Sequence, residues 1–519
     1  MSDQDDRLNG IWAGVRRRHL FPELPAPRWT EGEERVALEM KDKRISLSRR
    51  FMGELSEAVD PDEAVEAFLD HAVSHYLHCP WDFATHLRLY AEAKHVLKDK
   101  PMAQKAADYF MDVVADTACV SRTDSHIPKL YRHLKGGIMD EVVHALYQKI
   151  WGADLGVTGY EEYSRKLSRL PYLDRKRWRD SVRRFSKIIQ PLLELEERVG
   201  DGHKQPNPMG DHGLQQYSSQ EIEQGLKEFA QDAKTPSQFK EIVQDLEEEI
   251  LEATEPNERG MGLGPGRALD ADILYYMKLA ENYALPIRKT PMEKSGALYP
   301  HHHAPWEVGK PFQLIDPWTS FGKVMPGITQ IWERREGEVF GREEGTPDCM
   351  ILIDSSGSMA NPRQQLSYAV LGAACACDAY LRNDAQVAVY NFSDAKAGGS
   401  RTLPFTRQRN ALYKILCHYF GGGTKLLVEE IDQLQTPRGP DIFLITDMQI
   451  TNLEILIQYF NSRKNRVTAV HVGDNEHVRT FKQSMAPRKN VGIYAVDKKE
   501  DIPKIVLGRI REYFHAVGA

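Results

Sequence analysis

No stretch of this 519-residue sequence is apolar for long enough to cross a bilayer. The opening Met1-Ser-Asp-Gln-Asp-Asp6 has no basic-then-apolar leader pattern, so neither a membrane span nor export is expected. Cysteine is scarce: the six residues 79, 119, 349, 375, 377 and 417 are scattered, several inside apolar helical or strand patterns. They read as reduced core thiols, which favours the cytoplasm over an oxidising compartment. Neither sign of charge dominates, with 68 basic against 75 acidic residues and a net charge of −7. That balance excludes a global field towards nucleic acid or anionic lipid. A nucleotide-binding Walker motif is missing too: Gly260-Met-Gly-Leu-Gly-Pro-Gly266 is glycine-rich, but no Gly-Lys-Ser/Thr follows. What remains is a chain long enough for two to four domains with ample core.

The most informative stretch is Cys349-Met-Ile-Leu-Ile-Asp-Ser-Ser-Gly-Ser-Met359. Its apolar run, bounded by Pro347 and by Asp-Ser-Ser-Gly, predicts a buried parallel strand over 348–354. Asp354, Ser356 and Ser358 then fall at the strand's carboxyl end, where open α/β sheets place their ligands. Alternate side chains of an extended segment share a side, so the three oxygens can converge on one hard cation. One carboxylate and two hydroxyls suit magnesium or manganese, with water or a partner's oxygen completing the shell.

Downstream, Gly421-Gly-Gly-Thr424 supplies another hydroxyl and Asp441-Ile-Phe-Leu-Ile-Thr-Asp447 a second buried strand ending in a carboxylate. In this order the three elements resemble the metal-ion-dependent adhesion site of the von Willebrand factor A (VWA) domain. The resemblance implies Asp354, Ser356, Ser358, Thr424 and Asp447 as ligands of Mg2+ or Mn2+. It also implies a binding module in which a partner's acidic side chain completes the coordination. Strands are expected at 348–354, 386–392, 401–405, 441–446, 466–472 and 491–496. Helices are expected at 361–382, 407–418, 424–435, 451–463, 475–485 and 501–515. This alternation predicts a doubly wound, mainly parallel sheet with right-handed crossovers.

Earlier in the chain the pattern is helical. Residues 1–50 are polar, with basic stretches at Arg16-Arg-Arg-His19 and Lys41–Arg50, and predict a poorly anchored start followed by a short strand or helix. From Asp60-Pro61-Asp62, a plausible N-cap, a helix carries His71 and His75 one turn apart, with His78 on the same face and Pro80 as its stop. Two imidazoles at i and i+4 are suited to one zinc ion. Asp108, Asp112 and Asp116 run down one face of a later helix, and such a row needs water, a cation or basic partners. His71, His75 and Asp116 together would make a three-ligand zinc site.

This pair of motifs resembles the metallopeptidase-like domain that precedes VWA-like domains in some prokaryotic proteins. That domain has His-Glu-x-x-His and an Asn/Asp-x-x-x-Asp helix. Here the glutamate position is Ala72, which cannot take a proton from bound water. Either the domain keeps the fold without hydrolysis, or another acid such as Glu66 or Asp70 stands in.

Residues 126–160 are expected to continue as helix to a glycine-rich turn at 151–156. Residues 161–199 read as a basic amphipathic helix whose arginines and lysines form a wet face balanced by a later acidic helix. Docking of an acidic partner or nucleic acid is the alternative. Gly200–Gly210 marks a boundary, followed by helices near Ser219–Ala233 and Thr235–Ala253, with a Thr235/Gln238 capping box. The second is acidic through Glu249, with Ile242, Leu246, Ile250 and Leu251 on one side. Asp270–Leu285 is expected as helix, His301-His-His303 as loop, and 306–345 as short strands and turns.

The expected layout is an extension (1–55), a degenerate metallopeptidase-like helical domain (56–200), a linking region (201–345) and the α/β VWA domain (346–519). The resemblance implies a cytoplasmic adaptor, with a MoxR-type AAA+ ATPase as the partner in maturation or metal-insertion work. The alternative is a zinc hydrolase using the N-terminal histidines.

Overall fold

The structure is a computed structural model. It describes residues 3–31, 36–39, 43–50, 52, 59–134, 136–199, 217–247, 271–293, 298–308, 310, 314–320, 324–336, 342–394, 398–436 and 439–508. Two compact units emerge, Met1–Asn282 with Asn361–Leu366, and Tyr283–Ala360 with Ser367–Ala519.

The first unit is mainly helical. Asp3–Arg18 forms α1, with Leu8, Trp12 and Val15 buried. This corrects the expected loose start: apolar residues at i, i+4 and i+7 give one buried stripe that anchors the helix. Strands β1 (Arg28–Thr30), β2 (Val36–Glu39) and β3 (Arg44–Ser48) make a small sheet in the order β1-β3-β2.

Helix α2 (Pro61–Leu77) starts where Asp60 accepts hydrogen bonds from the amides of Asp62 (2.9 Å) and Glu63 (3.2 Å), with Pro61 in the first turn. Asp82 and Asp99 cap α3 (Phe83–Leu97) and α4 (Lys100–Val120) in the same way. Helices α5 (Ile127–Tyr131) and α6 (Ile138–Trp151) follow. The expected 161–199 helix is split into α7 (Glu161–Leu167) and α8 (Trp178–Val199) by a turn at Pro171 and a 3-10 segment at Arg175–Arg177.

Helix α3 packs against α4, α8 and a further helix, α9 (Ser219–Asp232). Phe68, Phe83, Phe110 and Phe185 are fully buried in this unit. Each such side chain contributes about 1.5–3 kcal/mol of transfer free energy.

The basic face of α8 is balanced differently from expectation. Arg179 and Arg183 both pair with the buried carboxylate of Glu92 on α3. The acidic helix α10 (Pro236–Asp245) instead turns Asp245 to Lys94 (2.8 Å) and Tyr90 (3.0 Å). At its start Thr235 accepts from the Gln238 amide (3.2 Å), while the Gln238 side chain caps Lys234 rather than Thr235. Helix α11 (Ala271–Ala280) completes this unit's described helices, shorter than the expected 270–285. The expected boundary at 200–210, the glycines of 260–266, and Ile250 and Leu251 lie outside the described residues.

The second unit is α/β. Two small antiparallel pairs, β4 (Thr290–Glu293) with β7 (Arg342–Gly345) and β5 (Leu298–Pro305) with β6 (Gln330–Glu336), precede a six-stranded sheet. His301–His303, expected in a loop, lie on β5, where His302 pairs with Glu333 and His303 with Asp316. The six strands are β8 (Cys349–Asp354), β9 (Val387–Phe392), β10 (Ser400–Thr406), β11 (Asp441–Thr446), β12 (Val467–His471) and β13 (Val491–Ala495). Their order is β10-β9-β8-β11-β12-β13, with β10 antiparallel and the rest parallel.

Every residue of β8, β9 and β11 is buried, as strands covered on both faces require. Met350, Leu352, Ala388, Tyr390 and Leu444 face one core, filled by Leu456, Phe460 and Phe481. Those last three come from α15 (Leu453–Ser462) and α16 (Glu476–Met485), which follow α12 (Tyr368–Arg382), α13 (Arg409–Leu416) and α14 (Val428–Gln433). Helix α12 packs on β8 and β11, and the Ile445 side chain reaches its Gly372.

Helix α12 starts later than the expected residue 361, where Ser367 caps it, and α14 is shorter than the expected 424–435. Where the expected helix 501–515 was to begin, the described residues form a 3-10 segment, Lys499–Lys504, containing Pro503. Leu507 then bridges to Ile287, and residues from 509 lie outside the described set. Sequential strands run outward from β8 on one side and from β11 on the other. The order therefore reverses between them, which puts the switch point of the sheet at the ends of β8 and β11.

Candidate metal sites

At that switch point the chain leaves β8 through Asp354-Ser-Ser-Gly-Ser358 and β11 through Thr446-Asp447. Asp354, Ser356, Thr424 and Asp447 are buried, while Ser358 is exposed. The Asp354 carboxylate accepts from the Ser356 amide (2.9 Å) on Oδ1 and from Thr446 Oγ1 (2.6 Å) on Oδ2. Ser356 and Ser358 hydroxyls lie 3.2 Å apart, brought together by a turn over 356–359, closed by Met359 N on Ser356 O (3.0 Å), rather than by the expected extended segment.

The glycine-rich loop is stitched to this turn by Gly357 N donating to Gly422 O (2.8 Å) and Gly421 N to Ser355 O (2.9 Å). Gly421 and Gly422 hold φ of +71° and +86°, a region that favours glycine. Thr424 is tied to the third loop by Thr451 N on its carbonyl (2.9 Å). Asp447 receives both the amide and the side-chain nitrogen of Gln449, each at 3.0 Å. Burial pushes the Asp354 carboxyl up to about 6, its hydrogen bonds opposing, with the Asp447 charge adding to the rise.

Sequence reasoning overlooked Thr446, Gln449 and Asn391. Asn391 accepts from Ser355 (2.6 Å) and donates to the carbonyls of Ile415 (2.7 Å) and His418 (2.8 Å). A polar residue inside an otherwise apolar strand was the available signal for both Asn391 and Thr446. The donor set is all oxygen, which is chemistry for a hard cation.

In the first unit, His71 and His75 on α2 face Asp112 and Asp116 on α4. The sequence grouped Asp116 with the histidines as a third ligand, and the geometry sorts the acids differently. Asp116 Oδ1 lies 2.7 Å from His71 Nδ1, and its Oδ2 accepts from Tyr131 (2.6 Å) and Tyr147 (3.0 Å). Burial, then the Asp116 charge, holds both phenols well above their usual range, so they stay donors. On the other side of the rings, His71 Nε2 and His75 Nε2 are 3.1 Å apart. Asp112 Oδ1 stands 3.2 Å from the His75 nitrogen and 4.0 Å from that of His71.

His71, His75 and Asp112 are all buried and could hold a metal ion. Asp108 is half-buried one turn away. His78 flanks the end of α2, and burial, then the charges of Arg122 and His19, lower it to about 4.

His19, Asp70 and Cys119 form a second close group. Asp70 there is already the hub of a network, taking Arg18 (2.6 Å), Ser125 (2.5 Å) and His19 (2.9 Å), while Arg18 also pairs with Glu66. Glu66 and Asp70 are thus engaged with Arg18, away from any role beside Ala72. Burial alone would lower the His19 pKa, but hydrogen bonds to Asp70 and Cys119 outweigh it and raise it to about 9. A histidine raised in the folded state contributes stability that is full below the unfolded value near 6.5 and lost as pH rises through the folded one. The His19 contribution to stability, read by chemical denaturation as the difference between wild type and His19→Gln, is therefore expected to fall by about 3 kcal/mol between pH 6 and pH 10.

Set against known protein families and curated proteins, the chain matches none.

Proposed function

We propose that the second unit is a VWA-type domain that binds Mg2+ or Mn2+ through Asp354, Ser356, Ser358, Thr424 and Asp447. In this reading the chain is a cytoplasmic adaptor, and the ion's open position takes a carboxylate from a protein partner. Neutral hydroxyl ligands leave the ion electron-poor, which strengthens its attraction for that outside carboxylate. A MoxR-type AAA+ ATPase is the partner class that the resemblance favours, in maturation or metal-insertion work.

The supporting observation is the convergence of the three loops carrying these oxygens at the carboxyl ends of the two central strands. A magnesium-dependent pull-down of such an ATPase, lost on Asp354→Ala and in chelator, tests the adaptor role. Capture that is indifferent to both would refute it. Zinc hydrolysis in the first unit has no comparable support, because Ala72 offers no proton acceptor beside the histidines.

The close approach of the two loops provides a finer test. A Cβ at Gly357 would stand 3.1 Å from Gly422 O and 3.3 Å from Gly422 N. Gly357→Ala is expected to part the loops, costing about 1–3 kcal/mol of stability. Magnesium affinity, followed by calorimetric titration, should fall roughly tenfold, equivalent to about 1.4 kcal/mol.

A further inference from the structure

We propose, resting on the ion site inferred for the second unit, that Asn475 is a positioning residue for the ligand Asp447. The loop after β12 then becomes a fourth working part of that rim. This loop, Val472-Gly-Asp-Asn475, joins β12 to α16. It is stitched to the end of β11 by Val472 N donating to Thr446 O (3.2 Å) and by Asn475 Nδ2 donating to Asp447 O (2.8 Å). Asn475 Oδ1 accepts from the Val478 amide (3.0 Å) and so caps α16. An amide N–H can only donate and a carbonyl only accept, so a single orientation of the side chain satisfies both.

The bond to Asp447 falls on a strained peptide. Met448 holds a φ of +65°, disfavoured for a bulky side chain, and is fully buried in the core beside the sheet. The peptide between Asp447 and Met448 is gripped at both ends. Thr446 Oγ1 accepts its N–H (3.0 Å), and Asn475 donates to its carbonyl. The same Thr446 hydroxyl donates to Asp354 Oδ2, so this grip also touches a second ligand.

Just beyond this peptide comes Gln449, which gives two hydrogen bonds to the Asp447 carboxylate. Turning the peptide over would relieve Met448 and swing Gln449 and the carboxylate away from the ion. Asn475 opposes that turn. Backbone strain held in place by surrounding structure clusters at functional sites. The loop's own shape brings Asn475 within reach. His471 Nδ1 faces Gly473 O at 2.6 Å and so carries the ring proton, and Gly473 turns the chain at a φ of +76°.

Mn2+ binding to the full chain, read from the EPR signal of the free ion, and thermal melts in chelator separate positioning from capping. Asn475→Ser and Asn475→Ala should each weaken Mn2+ binding about tenfold, the low end of the range for groups that support a metal ligand. In chelator Asn475→Ala should melt lower than Asn475→Ser, because serine caps a helix about as well as asparagine and alanine does not. Affinity is thus expected to follow the lost donor, and stability the cap. Wild-type binding that vanishes in Asp354→Ala but is equally tight in Asn475→Ser would overturn the role of Asn475 and leave the ion site standing. Affinity that falls only in Asn475→Ala, in step with its melting temperature, would overturn it too, since capping alone then accounts for the loss. A wild-type chain that binds no Mn2+ removes the ion site itself, and the role of Asn475 with it.

Discussion

Asp354→Ala is expected to abolish the rise in melting temperature that magnesium gives the wild-type chain. A ligand that binds only the folded state stabilises it by about 2.7 kcal/mol at one hundred times its dissociation constant. The variant should show none of this at any magnesium concentration. Without magnesium the order of stability should reverse. Asp354 is 2% exposed, and its carboxyl is raised to about 6 mainly by burial. An acid raised in the folded state weakens that state once pH climbs past the unfolded value near 4, because the unfolded chain ionises more easily. At pH 8 in chelator, Asp354→Asn is therefore expected to be at least as stable as wild type. Thermal melts of both variants with and without magnesium check the pair of outcomes. A magnesium-dependent shift that survives Asp354→Ala would remove Asp354 from the ligand set.

How much of this was legible beforehand differs between the two units. In the second unit, information is local: apolar runs broken by Asp-Ser-Ser-Gly or ending in Thr-Asp mark both strand and strand end. The expected strands therefore lie within a residue or so of the observed ones. Helix starts were less legible. Where 361–382 was expected, Pro362 and the Ser367 cap delay the helix to Tyr368.

In the first unit the histidine spacing was readable, because i and i+4 share a helical face whatever else the chain does. The choice between Asp112 and Asp116 was not. Both lie on the same face of α4, and the choice depends on Tyr131 and Tyr147, whose helices reach Asp116 from elsewhere in the chain. Likewise, the basic face of α8 gave no clue that its counter-charge is Glu92, a single buried acid on α3. Long-range pairing of this kind leaves no periodic trace in a sequence.

Arg466→Ala is expected to give the largest loss of stability in the second unit. Arg466 grips Asp441 with two parallel hydrogen bonds, Nε to Oδ1 at 2.8 Å and Nη2 to Oδ2 at 2.6 Å. Tyr380 donates to the same carboxylate at 2.7 Å, and Arg466 also donates to the Arg288 carbonyl. The two charged side chains are 10% and 5% exposed, so removing the arginine strands a carboxylate that water cannot reach. Breaking such a pair from one side costs about 3–5 kcal/mol. Burial already raises the Asp441 carboxyl, the hydrogen bonds to Arg466 opposing, so the variant should recover part of the loss in acid, where Asp441 takes a proton.

Replacing both partners at once, as in Arg466→Met with Asp441→Leu, should cost less than the single change, since no charge is left buried. Asp441 opens β11 while Asp447 follows its far end. Magnesium affinity of the folded variant should therefore match wild type even as its denaturation midpoint falls. A loss of affinity as large as the loss of stability would mean that the rim and the base of the sheet fold as one coupled device.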